Sequence, residues 1–136
     1  MSETYGVQLV RPGQTYQGAQ GFTYGAGASA ETVGAKQICM NVLPVPDGGR
    51  AKVHHHENIE TIAYLLDGAC SVFYGDQLEH VMEMAPGDQI YIPGNVAHAP
   101  YNRSGAPCTI LVAHASGSDQ DGIVMLEHLE AVLDAK

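Results

Sequence analysis

The feature that most constrains this fold is the alternation of short apolar runs with turn residues. Sixteen glycines and 7 prolines are spread along 136 residues instead of being gathered in one tract. Strands tolerate turns at this spacing, whereas helices need longer uninterrupted segments, so the pattern favours many short strands. Hydrophobic residues make up 45% of the chain and charged residues 15%, which is enough apolar material for a core. We therefore expect one all-β domain over residues 1–136.

Several segments combine apolar or β-branched residues with turn residues at both ends. At least six strands are expected, drawn from residues 38–43, 51–56, 61–66, 70–74, 81–84, 89–92 and 109–113. The Asp67-Gly68 pair predicts a hairpin between two of them. Because no helices alternate with these segments, a sandwich or barrel is favoured over a parallel sheet.

The two ends of the chain differ from this pattern. Residues 1–35 are rich in polar residues and glycine and predict loops with an edge strand. At the other end the apolar residues follow helical spacing, which predicts a short amphipathic helix over about residues 123–135 that packs on the domain. These apolar residues are Met125, Leu126, Leu129, Val132 and Leu133.

The net charge and the hydropathy of the chain predict which classes of partner it does not bind. The formal net charge of −9 repels phosphate backbones and anionic membrane surfaces, so nucleic acid and membranes are not expected partners. No apolar run approaches the roughly 20 residues of a membrane helix, and residues 1–10 lack the features of a signal peptide. A cytoplasmic protein with buried free thiols at Cys39, Cys70 and Cys108 is expected.

The chemistry of the chain is concentrated around a run of histidines. His54 and His56 are two residues apart on a predicted strand, so their side chains project from the same face. Glu60 can face the same point from the next strand if the chain turns after His56. His98 follows the strand of residues 89–92 on a turn that can aim it inward. Imidazoles and a carboxylate suit borderline divalent cations.

For several other residues near this run, the sequence allows a place either in the cavity or away from it. Tyr64 shares the parity of Glu60, which predicts either a catalytic hydroxyl in the cavity or a packed tyrosine. Arg50 and Lys52 share the parity of His54 and lie either at the cavity mouth, where they would attract an anion, or in solvent. His55 points away from the site by the same rule, and His114 is expected to be an ordinary polar residue.

The histidine run resembles the first of the two motifs of the cupin superfamily. That motif is written G-x5-H-x-H-x3/4-E-x6-G. Here the matching positions are Gly48, His54, His56 and Glu60. Gly68 then follows after seven residues, one more than usual.

A second stretch resembles the other cupin motif, written G-x5-P-x-G-x2-H-x3-N. Gly87, Pro93, His98 and Asn102 fall in register. Asn95 occupies the second glycine position, and Gly94 stands beside it.

The resemblance spans about residues 38–113 and implies a cupin barrel, also called a double-stranded β-helix or jelly roll. It implies one divalent metal ion, of Fe, Mn, Ni, Zn, Co or Cu, held by His54, His56, Glu60 and His98. Four ligands on a six-coordinate metal leave two positions for substrate or O₂. The resemblance also implies a homodimer, with exchange of the segment Met1–Val10.

The function that follows from the resemblance is a metal-dependent enzyme. Its substrate is expected to be a small oxygenated organic molecule bound at the metal. A redox-active metal would make it a dioxygenase, and a redox-silent metal an isomerase or lyase. The alternative is a non-catalytic barrel that binds a sugar or an organic acid.

Overall fold

The computed structural model describes residues 5–136, in which eleven strands form two antiparallel sheets. The first sheet has six strands in the spatial order β1 (Thr15–Gln17), β2 (Thr23–Ala28), β3 (Cys39–Val45), β10 (Cys108–His114), β5 (Thr61–Asp67) and β8 (Gln89–Ile92). The second has five in the order β11 (Ile123–Met125), β4 (His54–His56), β9 (His98–Tyr101), β6 (Cys70–Tyr74) and β7 (His80–Met84). The expected all-β fold with a short C-terminal helix is confirmed.

The core lies between the two sheets because the strands alternate in hydropathy. Along β10 every second side chain is buried, from Cys108 to His114, and β3 and β5 show the same period of two. The buried apolar side chains from the inner faces form one continuous cluster. Its aliphatic members include Leu43, Val45, Leu65, Val72, Ile90, Ile92, Ile110 and Val112.

Strand β10 is the element that fixes the register of the first sheet. It pairs with β3 on one side and with β5 on the other, and it sets His114 opposite Thr61. In the second sheet β4 pairs with β9 so that His54 lies opposite His98. The two sheets thus bring inward-facing polar side chains to one end of the core.

The C-terminal segment differs from the prediction of a helix over about residues 123–135. Residues 123–125, which were expected to start the helix, form β11 and pair with His54–His56 of β4. Pairing satisfies backbone groups of β4 that would otherwise lie on a sheet edge. A 3₁₀ turn (Glu127–Leu129) and the helix α2 (Glu130–Asp134) follow, and Leu129 and Leu133 pack on the outer face of the second sheet against Phe73.

Other boundaries are close to the predicted ones. Strands β6 and β8 occupy the predicted residues, whereas His98, expected on a turn, is the first residue of β9. The N-terminal region contains β1, β2 and a single helical turn, α1 (Ala30–Val33). Of the segment expected to exchange between subunits, residues 1–4 lie outside the described residues, and residues 5–10 form no strand. No helix within residues 5–136 has the length and hydropathy needed to cross a membrane.

Glu130 ties the C-terminal helix to the strand that carries two of the histidines. Its Oε2 accepts a hydrogen bond from the backbone N–H of Val53 at 2.5 Å, and its Oε1 accepts one from Arg50 at 2.9 Å. Arg50 also pairs with Asp134 at 2.6 Å. One carboxylate therefore connects α2 to the residue just before β4.

We expect Glu130→Ala to lower the free energy of unfolding by about 1–2 kcal/mol, because it leaves the Val53 N–H without its charged acceptor. Glu127→Ala is the matched control, since Glu127 is an exposed acid on the preceding turn. Urea denaturation of both variants checks this. Equal stabilities of the two variants would contradict a structural role for Glu130.

Candidate metal centre

Three buried histidines converge at one end of the core. His54 and His56 come from β4 and His98 from β9, and one ring nitrogen of each lies within 4.8 Å of the others. The exposed fractions of these residues are only 3%, 3% and 5%. The ring centroids of His54 and His98 are 4.5 Å apart, as their cross-strand pairing requires. Such a group can hold a metal ion.

A backbone carbonyl fixes the tautomer of each of these rings. The Nδ1 atoms of His54, His56 and His98 lie 2.8, 3.3 and 2.9 Å from the carbonyl oxygens of Lys52, Asp121 and Val96. A carbonyl only accepts, so each Nδ1 carries the hydrogen and donates it. Each Nε2 is then left with a lone pair, which is the form of imidazole that binds a metal.

The electrostatics of the group also keep the rings neutral. Burial lowers the pKa of His98 to about 4, against the opposing effect of the Val96 carbonyl. Burial likewise lowers the pKa of His54 and His56, and the neighbouring histidines add to this effect. Neutral imidazoles at neutral pH suit a divalent first-row metal, so this donor set fits the ion that the motifs imply.

The structure does not bring Glu60 or Tyr64 to the three histidines. Glu60 is exposed and accepts a hydrogen bond from the Tyr91 hydroxyl at 2.5 Å, a contact that raises the pKa of Tyr91. Tyr64 is half-buried and has the outward parity of β5, whose inward side chains are Thr61, Ala63 and Leu65. The assignment of both residues to the cavity therefore has to be corrected.

The residue that faces the cavity in place of Glu60 is Thr61. Six residues, the usual spacing at the end of the first motif, separate position 61 from Gly68. The extra residue noted in that gap is thus explained if the motif position of the glutamate is held by Thr61. A hydroxyl stands where a carboxylate would be expected, so the described site has three neutral donors.

His114, which sequence reasoning set aside, is part of the site. It is 5% exposed, and its ring centroid lies 4.5 Å from that of His56. Its Nδ1 is 2.7 Å from Thr61 Oγ1 and its Nε2 is 2.9 Å from Asp119 Oδ1. Both nitrogens are engaged, so His114 supports the group without joining it. Its inward position could have been read from the parity of Ile110 and Val112.

The loop before His98 is fastened to the loop after His56 by two asparagines. Asn58 and Asn95 have φ angles of 58° and 69°, a left-handed conformation that asparagine tolerates better than most residues. The Asn95 Oδ1 accepts from the Asn58 backbone N–H at 3.0 Å, and its Nδ2 donates to Asn58 Oδ1 at 3.0 Å. Asn95 therefore fills the second glycine position of the motif by adopting the required φ itself.

The cavity beside the histidines is lined mainly by aliphatic side chains. They include Leu43, Ala63, Val72, Ile90, Ile92, Ile110 and Val112. No lysine or arginine lines it among the described residues. Arg50 is held in ion pairs with Glu130 and Asp134, Lys52 is exposed, and neither is among the residues that line the cavity.

The lowered histidine pKa values predict acid sensitivity of the metal-free fold. A histidine in the unfolded chain has a pKa of about 6.5, so below that pH the unfolded state binds protons that the folded state excludes. The stability that the buried neutral histidines contribute is fully present above about pH 6.5. It is lost as the pH falls toward about 4, the lowered pKa of His98. The largest slope is about 1.4 kcal/mol per pH unit for each such histidine.

Urea denaturation of the metal-free protein between about pH 7.5 and about pH 5 checks this prediction. His98→Gln should flatten the pH dependence, whereas His128→Gln, at an exposed histidine, should leave it unchanged. A wild-type stability that does not vary with pH, or an unchanged slope in His98→Gln, would refute it.

Comparison with known proteins agrees with the geometry. The family model described as "Cupin domain" matches residues 41–114. Among curated proteins no sequence matches the chain. A solved structure named TT1209, from Thermus thermophilus, is 28% identical with a TM-score of 0.55, and the match covers 60% of this chain and 75% of that one.

Two further structures share the fold at lower identity. A Klebsiella pneumoniae protein with a double-stranded β-helix domain is 15% identical with a TM-score of 0.63, over 93% of this chain and 96% of its own. Lactobacillus farciminis oxalate decarboxylase is 16% identical with a TM-score of 0.69, over 83% of this chain. This chain covers only 33% of that decarboxylase. From the motifs, the barrel and the family match together, the chain belongs to the cupin domain family.

Proposed function

We propose that this protein binds one divalent metal ion through His54, His56 and His98 and acts on a small oxygenated organic molecule bound at that ion. The observation that carries the proposal is the convergence of three buried, neutral imidazoles whose tautomers are fixed by backbone carbonyls. Histidines buried only for packing have no need to aim three lone pairs at one point. The proposed ligand set omits Glu60, which hydrogen-bonds to Tyr91 on the outer surface.

Three protein ligands leave coordination positions for an exogenous molecule. Structural zinc sites are normally closed by four protein ligands, whereas catalytic sites keep a position open. A divalent ion here would supply Lewis-acid or redox chemistry to the molecule that it holds. The chain contributes aliphatic cavity walls beside the ion, and the cavity of about 50 Å³ restricts the substrate to a small molecule.

The cavity lining also limits the charge of the substrate. With no lysine or arginine among the lining residues, a second anionic group of the substrate would lie against aliphatic side chains unpaired. We therefore infer a small substrate with one oxygen-bearing head at the metal and an uncharged remainder. An oxalate decarboxylase is among the similar folds, but at 16% identity it supports the fold and not that substrate.

Metal binding should depend on the three histidines alone. Protein purified without a histidine tag is expected to contain close to one metal ion per chain, and the double variant His54→Ala, His98→Ala to contain almost none. His55→Ala and Glu60→Gln are the controls, because His55 lies in the same run and Glu60 faces outward. Elemental analysis decides the outcome. Metal-free wild-type protein that takes up no metal would refute the proposal, and loss of metal in Glu60→Gln would return Glu60 to the ligand set.

The reaction class is tested by reloading the metal-free protein. O₂ uptake that depends on both Fe(II) and an added small hydroxy or keto acid would make the protein a dioxygenase. Turnover without O₂, with Zn, Mn or Ni in place of Fe, would make it an isomerase or lyase. Saturable binding without turnover under any metal would refute the enzymatic part and leave a ligand-binding barrel.

The proposal extends to a homodimer formed through the outer face of the first sheet. The strand register aligns Met40, Ala113, Ile62 and Tyr91 in one row across four strands. Val42, Leu111 and Tyr64 form the adjacent row. Ile62 and Tyr91 are 47% and 55% exposed, and neither row contains a charged side chain. A continuous apolar face of this kind favours an isologous contact with a second copy.

A charge placed in this face should separate the subunits. We expect Ile62→Glu to convert a dimer into a monomer in sedimentation equilibrium, because two copies of the new carboxylate would be buried near the two-fold axis. Val81→Glu is the control, since Val81 is 46% exposed on the second sheet. A wild-type monomer, or a dimer that tolerates Ile62→Glu, would contradict this interface.

A further inference from the structure

The turn between β1 and β2 carries a polar side chain into the metal cavity. Gln20 lies in this turn, is 2% exposed, and lines the same cavity as His54 and His98. Its backbone carbonyl accepts a hydrogen bond from the Lys52 N–H at 2.7 Å, and the Lys52 carbonyl accepts one from His54 Nδ1. Lys52 therefore links the turn that holds Gln20 to the strand that holds the histidines.

Hydrogen-bond partners fix which end of the Gln20 amide is the nitrogen. The Ala19 backbone N–H donates to one end of the Gln120 amide at 2.8 Å, so that end is the oxygen. The other end, Gln120 Nε2, donates, and the Gln20 atom 3.1 Å from it is therefore the oxygen Oε1. Gln20 Nε2 then lies 2.8 Å from the Tyr24 hydroxyl and donates to it. This orientation follows from amide groups and is independent of the protonation of the neighbouring histidines.

The Gln20 amide nitrogen carries two hydrogens, and Tyr24 accepts only one of them. Among the described residues, Nε2 has no second acceptor. The side chain has almost no contact with bulk solvent, and a buried N–H without an acceptor costs free energy. The cavity that Gln20 lines is walled mainly by aliphatic side chains, which cannot accept. The second hydrogen is therefore available to an acceptor that enters the cavity.

Close packing holds the Gln20 amide in place. A Cβ at Gly18 would lie 2.7 Å from Gln20 Oε1 and 2.6 Å from Tyr24 Cε1, so a side chain at this position would displace them. Tyr24 is 3% exposed and stacks on Tyr16, with the ring centroids 5.1 Å apart. The donor is thus positioned before any ligand enters.

We propose that Gln20 is a specificity-determining residue that donates a hydrogen bond from Nε2 to a ligand oxygen that the metal does not bind. The inference rests on the proposed function, in which three histidines hold the ion. A carboxylate that binds the ion through one oxygen keeps the other oxygen free to accept. The ligand class that fits is a small monocarboxylate, whose charge offsets that of the ion and whose second oxygen receives the Gln20 hydrogen.

The competing explanation is that Gln20 only connects Gln120 and Tyr24 and touches no ligand. Replacing a residue with that structural role would affect all ligands of the ion alike. Replacing a donor affects only the ligands that still have an acceptor once the ion has bound them. Acetate is such a ligand, whereas imidazole is not, because its second nitrogen carries a hydrogen.

Binding of acetate and imidazole is measured with Co(II)-loaded protein, whose visible spectrum changes when a ligand binds the ion and requires no turnover. Gln20→Met keeps the length of the side chain and removes the amide. We expect it to weaken acetate binding about three- to tenfold and imidazole binding less than about twofold. Gln77→Met, the same change at an exposed glutamine, should leave both affinities unchanged. Equal losses of the two ligands in Gln20→Met, or unchanged acetate binding, would overturn the inference.

A second measurement uses the wild-type chain and does not depend on the folding of a variant. In Zn(II)-loaded protein the two Nε2 hydrogens of Gln20 give separate ¹H–¹⁵N signals. Saturating acetate should move one of these signals downfield, as a new hydrogen bond requires, and leave the hydrogen bonded to Tyr24 nearly unchanged. Two unmoved signals at saturating acetate would overturn the inference. Wild-type protein that binds neither Co(II) nor Zn(II) would instead refute the metal site, so the two failures are distinguishable.

Discussion

The proposed metal site depends on three hydrogen bonds between imidazole Nδ1 atoms and backbone carbonyls. An imidazole can present a lone pair to a metal only from the nitrogen that carries no hydrogen. The carbonyls of Lys52, Val96 and Asp121 make that choice for the three rings before any ligand arrives. The site is therefore organised by the backbone just before β4, β9 and β11, and its donor geometry changes only if these segments move.

The loop between β10 and β11 connects two parts of the site. Within it, the Asp121 carbonyl holds His56 and the Asp119 carboxylate holds His114, while β11 completes the sheet beside β4. The positions of His56 and His114 thus depend on the same eight-residue connection, 115–122. Its Gly122 has a φ of 64°, and a side chain there would lie 2.9 Å from the Glu57 carbonyl oxygen. Close packing at that point explains the glycine.

Much of this arrangement could be predicted from local pattern. A period of two along 54–56 placed His54 and His56 on one face, and turn residues located most of the strands. Counting alternate residues from His56 to Glu60 gave the wrong face, because the chain turns between them. The left-handed Asn58 in this turn changes which side of the next strand faces inward. That is why Glu60 and Tyr64 lie outside and Thr61 inside. Two-residue counting is valid only within one continuous strand.

The remaining differences come from long-range contacts. His114 gains its role from Thr61, 53 residues away, and Asp119 is oriented by a glutamine that the distant Ala19 amide fixes. The C-terminal pattern of Met125 and Leu126 has helical spacing, yet β11 forms there because β4 offers an unpaired edge. Here the backbone hydrogen bonds to the edge of β4 outweigh the helical spacing of the apolar residues.

The exchange of a carboxylate for a hydroxyl changes the charge that a ligand meets. Three neutral imidazoles leave the full charge of a divalent ion uncompensated, whereas a glutamate would cancel part of it. The surrounding walls are aliphatic and carry no counter-charge among the described lining residues, so screening there is weak. A single anionic group on the ligand is then the natural compensation. The charge of the ion would attract an anionic ligand, and the aliphatic walls would favour one whose remainder is uncharged.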